Sequence, residues 1–287
     1  MGELVYAAKV THVPTMLMSE QDGPLKGKRQ SAIDGHREIG RRIRAAGADT
    51  VVVLDTHWLV NAAYHVNARA EFSGLFTSSE FPQFIRDLPY AYRGNPALGD
   101  LIGERATVRG VHTLSHQVES LDLEYGTLVP MHFMNAEADL RVVSVAAWCT
   151  VHSQASSRQL GEAIREAIEA SDSKVALIAS GSLSHKIWPN DIYAENNGTF
   201  TISSEFNRQV DLMVLDLWVR GEWGVFTKML PDYARHCDGE GGMHDTVMLL
   251  AALGWDGYGG RGVQVSEYFP SSGTGQVNVE FTLPWRE

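Results

Sequence analysis

The chain has 287 residues, enough for one large α/β domain or two small ones with ample core. Its 44% hydrophobic and 21% charged content is that of a globular protein, and a formal net charge of −11 argues against nucleic acid or an anionic membrane as the main partner. No apolar run approaches the ~20 residues of a membrane span, the N-terminus lacks the form of a signal peptide, and two cysteines, Cys149 and Cys237, are too few for a disulfide framework, so a cytoplasmic protein with buried or incidental thiols is expected.

Residues 4–10 form a short apolar run, read as a strand, that ends in Thr11-His12-Val13-Pro14. A polar loop with Gly23 and Pro24 follows, carrying Lys26, Lys28 and Arg29. The spacing of Ile33, Ile39 and Ile43 predicts a helix over 31–46, with Gly47 as its stop. Residues 51–54 are aliphatic and too few for a buried helix, so they read as a strand buried on both faces. That strand gives out at Asp55, Thr56 and His57, where open α/β sheets place ligand groups. Residues 62–68 alternate loosely as a further strand. From 74 to 95 the text is irregular and aromatic, a loop-rich segment with at most one short helix and a binding or lid role. Asn95-Pro96 opens a helix to about 108, closed by Gly110. A strand over 140–148, an amphipathic helix over 156–170 and a strand over 174–179 come next, the last running into Ser180-Gly181-Ser182-Leu183-Ser184-His185. A long helix over 202–220 and a short one over 224–230 precede the turn Asp238-Gly239-Glu240-Gly241-Gly242. A helix over 244–253 and two strand-like runs, 263–269 and 277–283, close the chain. No repeat or linker interrupts this alternation, which favours one layered α/β domain over 1–287.

Three strands therefore run into a histidine: His12, His57 and His185. For any single one, a structural hydrogen bond is as open as a chemical role. His12 and His57 nevertheless sit on matching strand ends, where a rigid element holds a side chain that still reaches a cleft. Glu240 lies among glycines, which either fix its carboxylate closely or leave it in a solvated loop. Two neutral imidazoles and one carboxylate on one face of a metal leave three positions open, the pattern of non-haem Fe(II) oxygen chemistry. Acid/base, metal-ligand and structural roles are open for His185; an imidazole can take a phenolic proton at neutral pH and return it. Ser182 lacks the flanks of a nucleophile elbow, and Gly273-Thr274-Gly275 lacks the lysine of a phosphate loop. His244 and Asp245 read as helix-start residues, and His36 as a helix-surface one.

Thr11-His12-Val13-Pro14, Asp55-Thr56-His57-Trp58, the 124–130 segment Glu-Tyr-Gly-Thr-Leu-Val-Pro, Ser180 to His185, and Gly239 to Asp245 together resemble the class III (LigB-type) extradiol ring-cleavage dioxygenases. Within that family the chain is most similar to the subgroup acting on 3,4-dihydroxyphenylacetate (homoprotocatechuate), to which Ser271 to Asn278 also corresponds. The resemblance implies a three-layer α/β/α domain with a mixed sheet and an Fe(II) cofactor on His12, His57 and Glu240, with His185 as acid/base. It also implies homo-oligomeric assembly and cleavage of a catechol by O₂, beside its two hydroxyls, to a muconic semialdehyde. Many relatives carry histidine in an Asp-His-Gly motif that here reads Glu124-Tyr125-Gly126. Tyr125, a donor rather than a shuttle at neutral pH, and His116 are the candidates for the proton-donating role. A substrate carboxylate needs a cation or backbone N–H groups in a chain of this charge; Lys28 and Arg29 are candidates, against a solvated position for either. The rival readings are the same site acting on 2-aminophenol, protocatechuate or another catechol, a zinc hydrolase using His12 and His57, and a silent partner subunit. The last would be expected to lose the ligands that are all present here.

Overall fold

The aliphatic runs read as strands lie side by side in the middle of one mixed sheet. The structure, a computed structural model, describes residues 1–196 and 199–286. In chain order the first half comprises β1 (Glu3–Val10), α1 (Thr15–Glu20), α2 (Gln30–Ala45), β2 (Thr50–Val60), β3 (Tyr64–Asn67), β4 (Glu71–Phe76), β5 (Leu88–Arg93), α3 (Pro96–Val108), β6 (Thr113–His116) and α4 (Tyr125–Met134). The second half comprises β7 (Arg141–Cys149), α5 (Gln154–Ala170), β8 (Lys174–Ser180), α6 (Asn190–Asn196), α7 (Glu205–Arg220), α8 (Trp223–His236), α9 (His244–Leu253), β9 (Gly262–Gln264), β10 (Phe269–Ser271), β11 (Thr274–Gln276) and β12 (Val279–Phe281). The large sheet has eight strands in the order β6-β3-β7-β2-β8-β1-β12-β9. Its inner four, β7, β2, β8 and β1, run parallel, while β3 and β12 flank them antiparallel.

Alternate residues of those inner strands enter two different cores. Leu4, Ala7, Val52, Leu54, Val175 and Leu177 pack against α3, α5 and α9, whereas Tyr6, Ala8, Val51, Val53, Ala176 and Ile178 pack against Ile39 and Ile43 of α2 and Leu128 and Met131 of α4. Both faces are covered, which is why these strands read as unbroken aliphatic runs with no polar alternation. The result is the expected three-layer α/β/α arrangement. Close approach of neighbouring helices within each layer depends on glycine at two positions: a Cβ on Gly40 of α2 would strike the Met134 carbonyl of α4, and one on Gly161 of α5 the Met248 carbonyl of α9. Helix ends follow the expected capping chemistry. The Asn95 side chain accepts from Leu98 N, Ser153 from Ser156 N and Ser204 from Asn207 N, and Gly221 closes α7 at φ +72°.

Several elements differ from the sequence reading, each for a local reason. β2 does not end at Asp55 but continues to Val60 through a break in its pairing with β7 between Asp55 and Leu59, so His57 stands on the irregularity itself. The 74–95 segment contains no helix; β4 and β5 pair antiparallel from Glu71↔Arg93 to Phe76↔Leu88, leaving 77–87 as the connecting loop. α4 was not anticipated because nine of its ten residues are buried and so carry no 3.6-residue stripe. The short helix over 224–230 extends to His236 through Pro231, held by the buried Leu230 and Tyr233. The two C-terminal runs shrink to β9 and β12, and the stretch between them carries the β10–β11 pair; the Ser266 hydroxyl accepts from Asn278 N where both runs break off.

His36 is not on a helix surface. It is fully buried, and its Nε2 lies 2.9 Å from the Thr11 carbonyl while Asn278 Nδ2 approaches its Nδ1 at 3.1 Å. Its Nδ1 also lies 2.8 Å from the Ala32 carbonyl, so both ring nitrogens face backbone oxygens and only one can donate while the ring is neutral. Burial pushes its pKa down to about 4 from the ordinary 6.5. Between those values the unfolded chain takes up a proton that the folded chain refuses, so stability falls as pH drops. The contribution of this one group is about 2 kcal/mol between pH 7 and pH 5. Urea unfolding at the two pH values should therefore show a smaller difference in His36→Gln than in the parent chain.

Candidate metal centre

Three of the parallel strands deliver side chains to one end of the sheet. His12 follows β1, His57 stands on the β2 irregularity, and the turn after β8 carries Ser182 and His185. Glu240 arrives from the far side, in the turn between α8 and α9, where Gly241 and Gly242 at φ +54° and +67° fold the backbone sharply back. The structure brings three of the expected groups together: one ligand atom each from His12, His57 and Glu240 lies within 4.8 Å of the others. His12 Nε2 is 3.2 Å and His57 Nε2 3.6 Å from Glu240 Oε1, and His185 Nδ1 is 3.3 Å from Glu240 Oε2.

Their surroundings fix which atoms face inward. Ser180 Oγ donates its one proton to the Gly126 carbonyl at 2.5 Å, so it can only accept from His12 Nδ1 at 2.9 Å. His12 is thereby held with Nε2 unprotonated toward Glu240, the tautomer that binds a cation. Thr56 Oγ1 bonds Glu240 Oε1 at 2.6 Å and the Ser182 N–H donates to Oε2, so the buried carboxylate cannot rotate. Burial works against its charge, but the neighbouring His185 and His12 imidazoles hold its carboxyl well below the usual carboxylate range. Burial, with His12 beside it, holds His57 well below the ordinary imidazole value and therefore neutral. Two imidazoles and one carboxylate, converging without a fourth protein ligand among the described residues, are the donor set of an open divalent-metal site. The residues present fit such an ion.

Above this cluster lies a pocket of about 770 Å³, counting its open mouth, with Phe81, Phe84, Trp188 and Tyr193 among its walls. Its size and aromatic lining suit a small aromatic ligand. The 77–87 loop covers one side and brings in Glu80, which no sequence signal marked. Glu80 Oε2 accepts from the Tyr125 hydroxyl at 3.3 Å and stands 3.7 Å from His57 Nδ1. Tyr125 packs over His57 with ring centroids 3.8 Å apart, and burial together with Glu80 raises its hydroxyl well above the ordinary phenol value. It keeps its proton and donates it to Glu80.

His116 is not brought to this cluster. It lies on β6 at the sheet edge, its Nε2 2.7 Å from His65 Nδ1, beside a different cleft. Arg29 is no solvated residue: it is buried, donates to Thr15 Oγ1, the Pro270 carbonyl and Ser271 Oγ, and lies over the rings of Phe200 and Phe269. Lys28 is exposed. Asp245, read as a helix-start residue, is fully buried against Lys9.

Comparison with known proteins follows the same line. The family described as "Catalytic LigB subunit of aromatic ring-opening dioxygenase" matches residues 6–282. The chain belongs to the LigB family. As a LigB-family chain it is an aromatic ring-cleaving dioxygenase and hence an oxidoreductase. It is 53% identical over 261 residues to the 3,4-dihydroxyphenylacetate 2,3-dioxygenase of Escherichia coli, covering 91% of this chain and 94% of that one. It is 23% identical over 298 residues to the 2-aminophenol 1,6-dioxygenase beta subunit of a Pseudomonas species, covering 98% and 95%. Among solved structures, an uncharacterized protein of Escherichia coli K12, JW3007, shares the fold with a TM-score of 0.63 at 16% identity, over 97% of this LigB chain and 100% of that one.

Proposed function

We propose that this LigB-family chain opens the ring of 3,4-dihydroxyphenylacetate beside its two hydroxyls, using O₂ and an Fe(II) ion held by His12, His57 and Glu240. The observation that carries this reading is the convergence of those three side chains, two of which, His12 and His57, line an aromatic pocket. The substrate assignment is supported by 53% identity to an enzyme named for that acid. When bound there, a ferrous ion supplies Lewis acidity and open positions for an aromatic diol and for O₂.

The protein's own groups do the rest. His185 Nδ1 faces Ser182 Oγ at 3.0 Å and Glu240 Oε2 at 3.3 Å, which leaves Nε2 as the nitrogen to accept a phenolic proton and give it back. Tyr125 holds its proton 3.3 Å from Glu80 and packs over His57, which makes it a phenolic donor beside the residues that would hold the ion. Phe81 and Phe84 exclude water from the ring. The single catalytic domain spans 1–287, supported by a sheet that draws strands from both ends of the chain. A reducing cytoplasm suits the two buried free thiols, and assembly as a homo-oligomer belongs to the same reading, to be tested by light scattering.

The test is anaerobic loading with Fe(II), then oxygen uptake with the acid. The parent chain should consume O₂ and form a yellow ring-opened product. His185→Phe should keep its iron and turn over about 10²- to 10⁴-fold more slowly. Iron loss in that variant, or zinc-supported hydrolysis without oxygen uptake in the parent, would overturn the assignment.

A further inference from the structure

The proposed substrate carries a carboxylate, and the pocket that receives it is lined by Glu80 and by His12 and His57, which stand within 3.6 Å of the Glu240 carboxylate, in a chain of net charge −11. An anion does not enter such a site without a local counter-charge. Arg29 does not itself line the pocket: its guanidinium donates to Thr15, the Pro270 carbonyl and Ser271 and lies over the rings of Phe200 and Phe269. Among the described residues that line the pocket, Lys186 carries the only ammonium or guanidinium.

Its placement is firm while its charge is loosely held. The preceding residue, His185, is fixed by its N–H bond to the Asp238 carbonyl at 2.7 Å and by a β-bridge to Thr274. Among the described residues the Lys186 ammonium pairs with Asp238 Oδ2, at 3.5 Å, with both side chains about two-fifths exposed. A half-exposed pair at that distance contributes little and exchanges partners readily. Lys186 also follows the proposed acid/base histidine directly. A ring whose hydroxyls face His185 and whose flanks meet Trp188 and Tyr193 can therefore send a short acidic side chain to this ammonium.

We propose that Lys186 binds the carboxylate of the aromatic substrate and sets the preference for catechols bearing a short acidic side chain. This rests on the ring-cleavage reading above and adds to it the group that selects the substrate. The interaction is a charge-assisted hydrogen bond formed in both the bound substrate and the transition state, so its loss should appear mainly in KM.

The experiment compares 3,4-dihydroxyphenylacetate with 4-methylcatechol, which has the same diol and no carboxylate, in Fe(II)-loaded parent, Lys186→Met and Lys186→Arg. In Lys186→Met the ratio of kcat/KM for the acid to that for 4-methylcatechol should fall about 10- to 100-fold, with KM for the acid carrying the change. Lys186→Arg should recover most of that ratio. An unchanged ratio, or equal losses on both substrates, overturns the assignment of Lys186. If the parent opens neither ring, the ring-cleavage reading fails as well; if it opens the acid while the ratio stays put, only the Lys186 assignment fails.

Discussion

Glu240→Gln is expected to strip the centre of its metal and lower ring-opening activity by more than about 10³-fold, since the ion supplies several kcal/mol of charge stabilisation. Glutamine keeps the shape of the side chain but removes the charge and one acceptor. Both carboxylate oxygens are engaged, Oε1 by the Thr56 hydroxyl and Oε2 by the Ser182 N–H. With the amide oxygen toward the Ser182 N–H, the NH₂ meets the Thr56 hydroxyl, which can turn its own proton to the Ser180 carbonyl, so the variant can keep its packing while the charge that would hold a cation is lost. Glu240 also lies within 3.6 Å of all three histidines, so its loss is felt by ligands and acid/base together. Iron content after gel filtration and oxygen uptake with 3,4-dihydroxyphenylacetate check the prediction, with near-ultraviolet circular dichroism to show that the fold persists. A variant that retained stoichiometric iron would remove Glu240 from the ligand set.

The parts of this centre that could be read from sequence are those attached to strong local patterns. His12, His57 and His185 were visible because each follows an aliphatic strand, and Glu240 because glycines surround it. What holds them was not visible. Ser180 fixes the His12 tautomer, Thr56 and Ser182 fix the Glu240 carboxylate, and Glu80 reaches the site from a covering loop, yet each is an ordinary polar residue whose partner is tens to hundreds of positions away. His116 illustrates the opposite error, since nearness to Tyr125 in the chain counted for nothing once β6 carried it to the sheet edge. The same physics explains the fold. Strands covered on both faces were legible from composition alone, while α4, buried nearly all round, and the β4–β5 pair, built on irregular aromatic text, needed tertiary packing to be seen. Buried charge was the hardest to foresee, as Asp211 illustrates: its carboxylate collects the hydroxyls of Ser184, Tyr233 and Tyr268 and so anchors the turn that carries His185.

Lys9→Met should cost about 3–5 kcal/mol of folding stability, more than any surface change in the molecule. Lys9 interrupts the aliphatic run of β1, and its Nζ lies 2.5 Å from Asp245 Oδ2 with both side chains wholly buried. Removing the lysine leaves a carboxylate in the core with Thr246 Oγ1, at 3.2 Å, as its remaining side-chain donor. For a domain of this size the melting temperature should fall by about 10 °C. Replacing both residues, Lys9→Met with Asp245→Leu, should recover much of the loss, because neither ion then has to be desolvated. A double-mutant cycle on the melting curves measures the coupling; additive losses would mean that the pair contributes through packing and not through charge. The consequence reaches the metal centre, since a Cβ on Gly181 would meet both Asp245 and Lys9. The buried pair thus lies directly beneath the turn whose next residue, Ser182, donates its N–H to Glu240, and loosening that support should weaken metal retention in the single variant even at temperatures where it is folded.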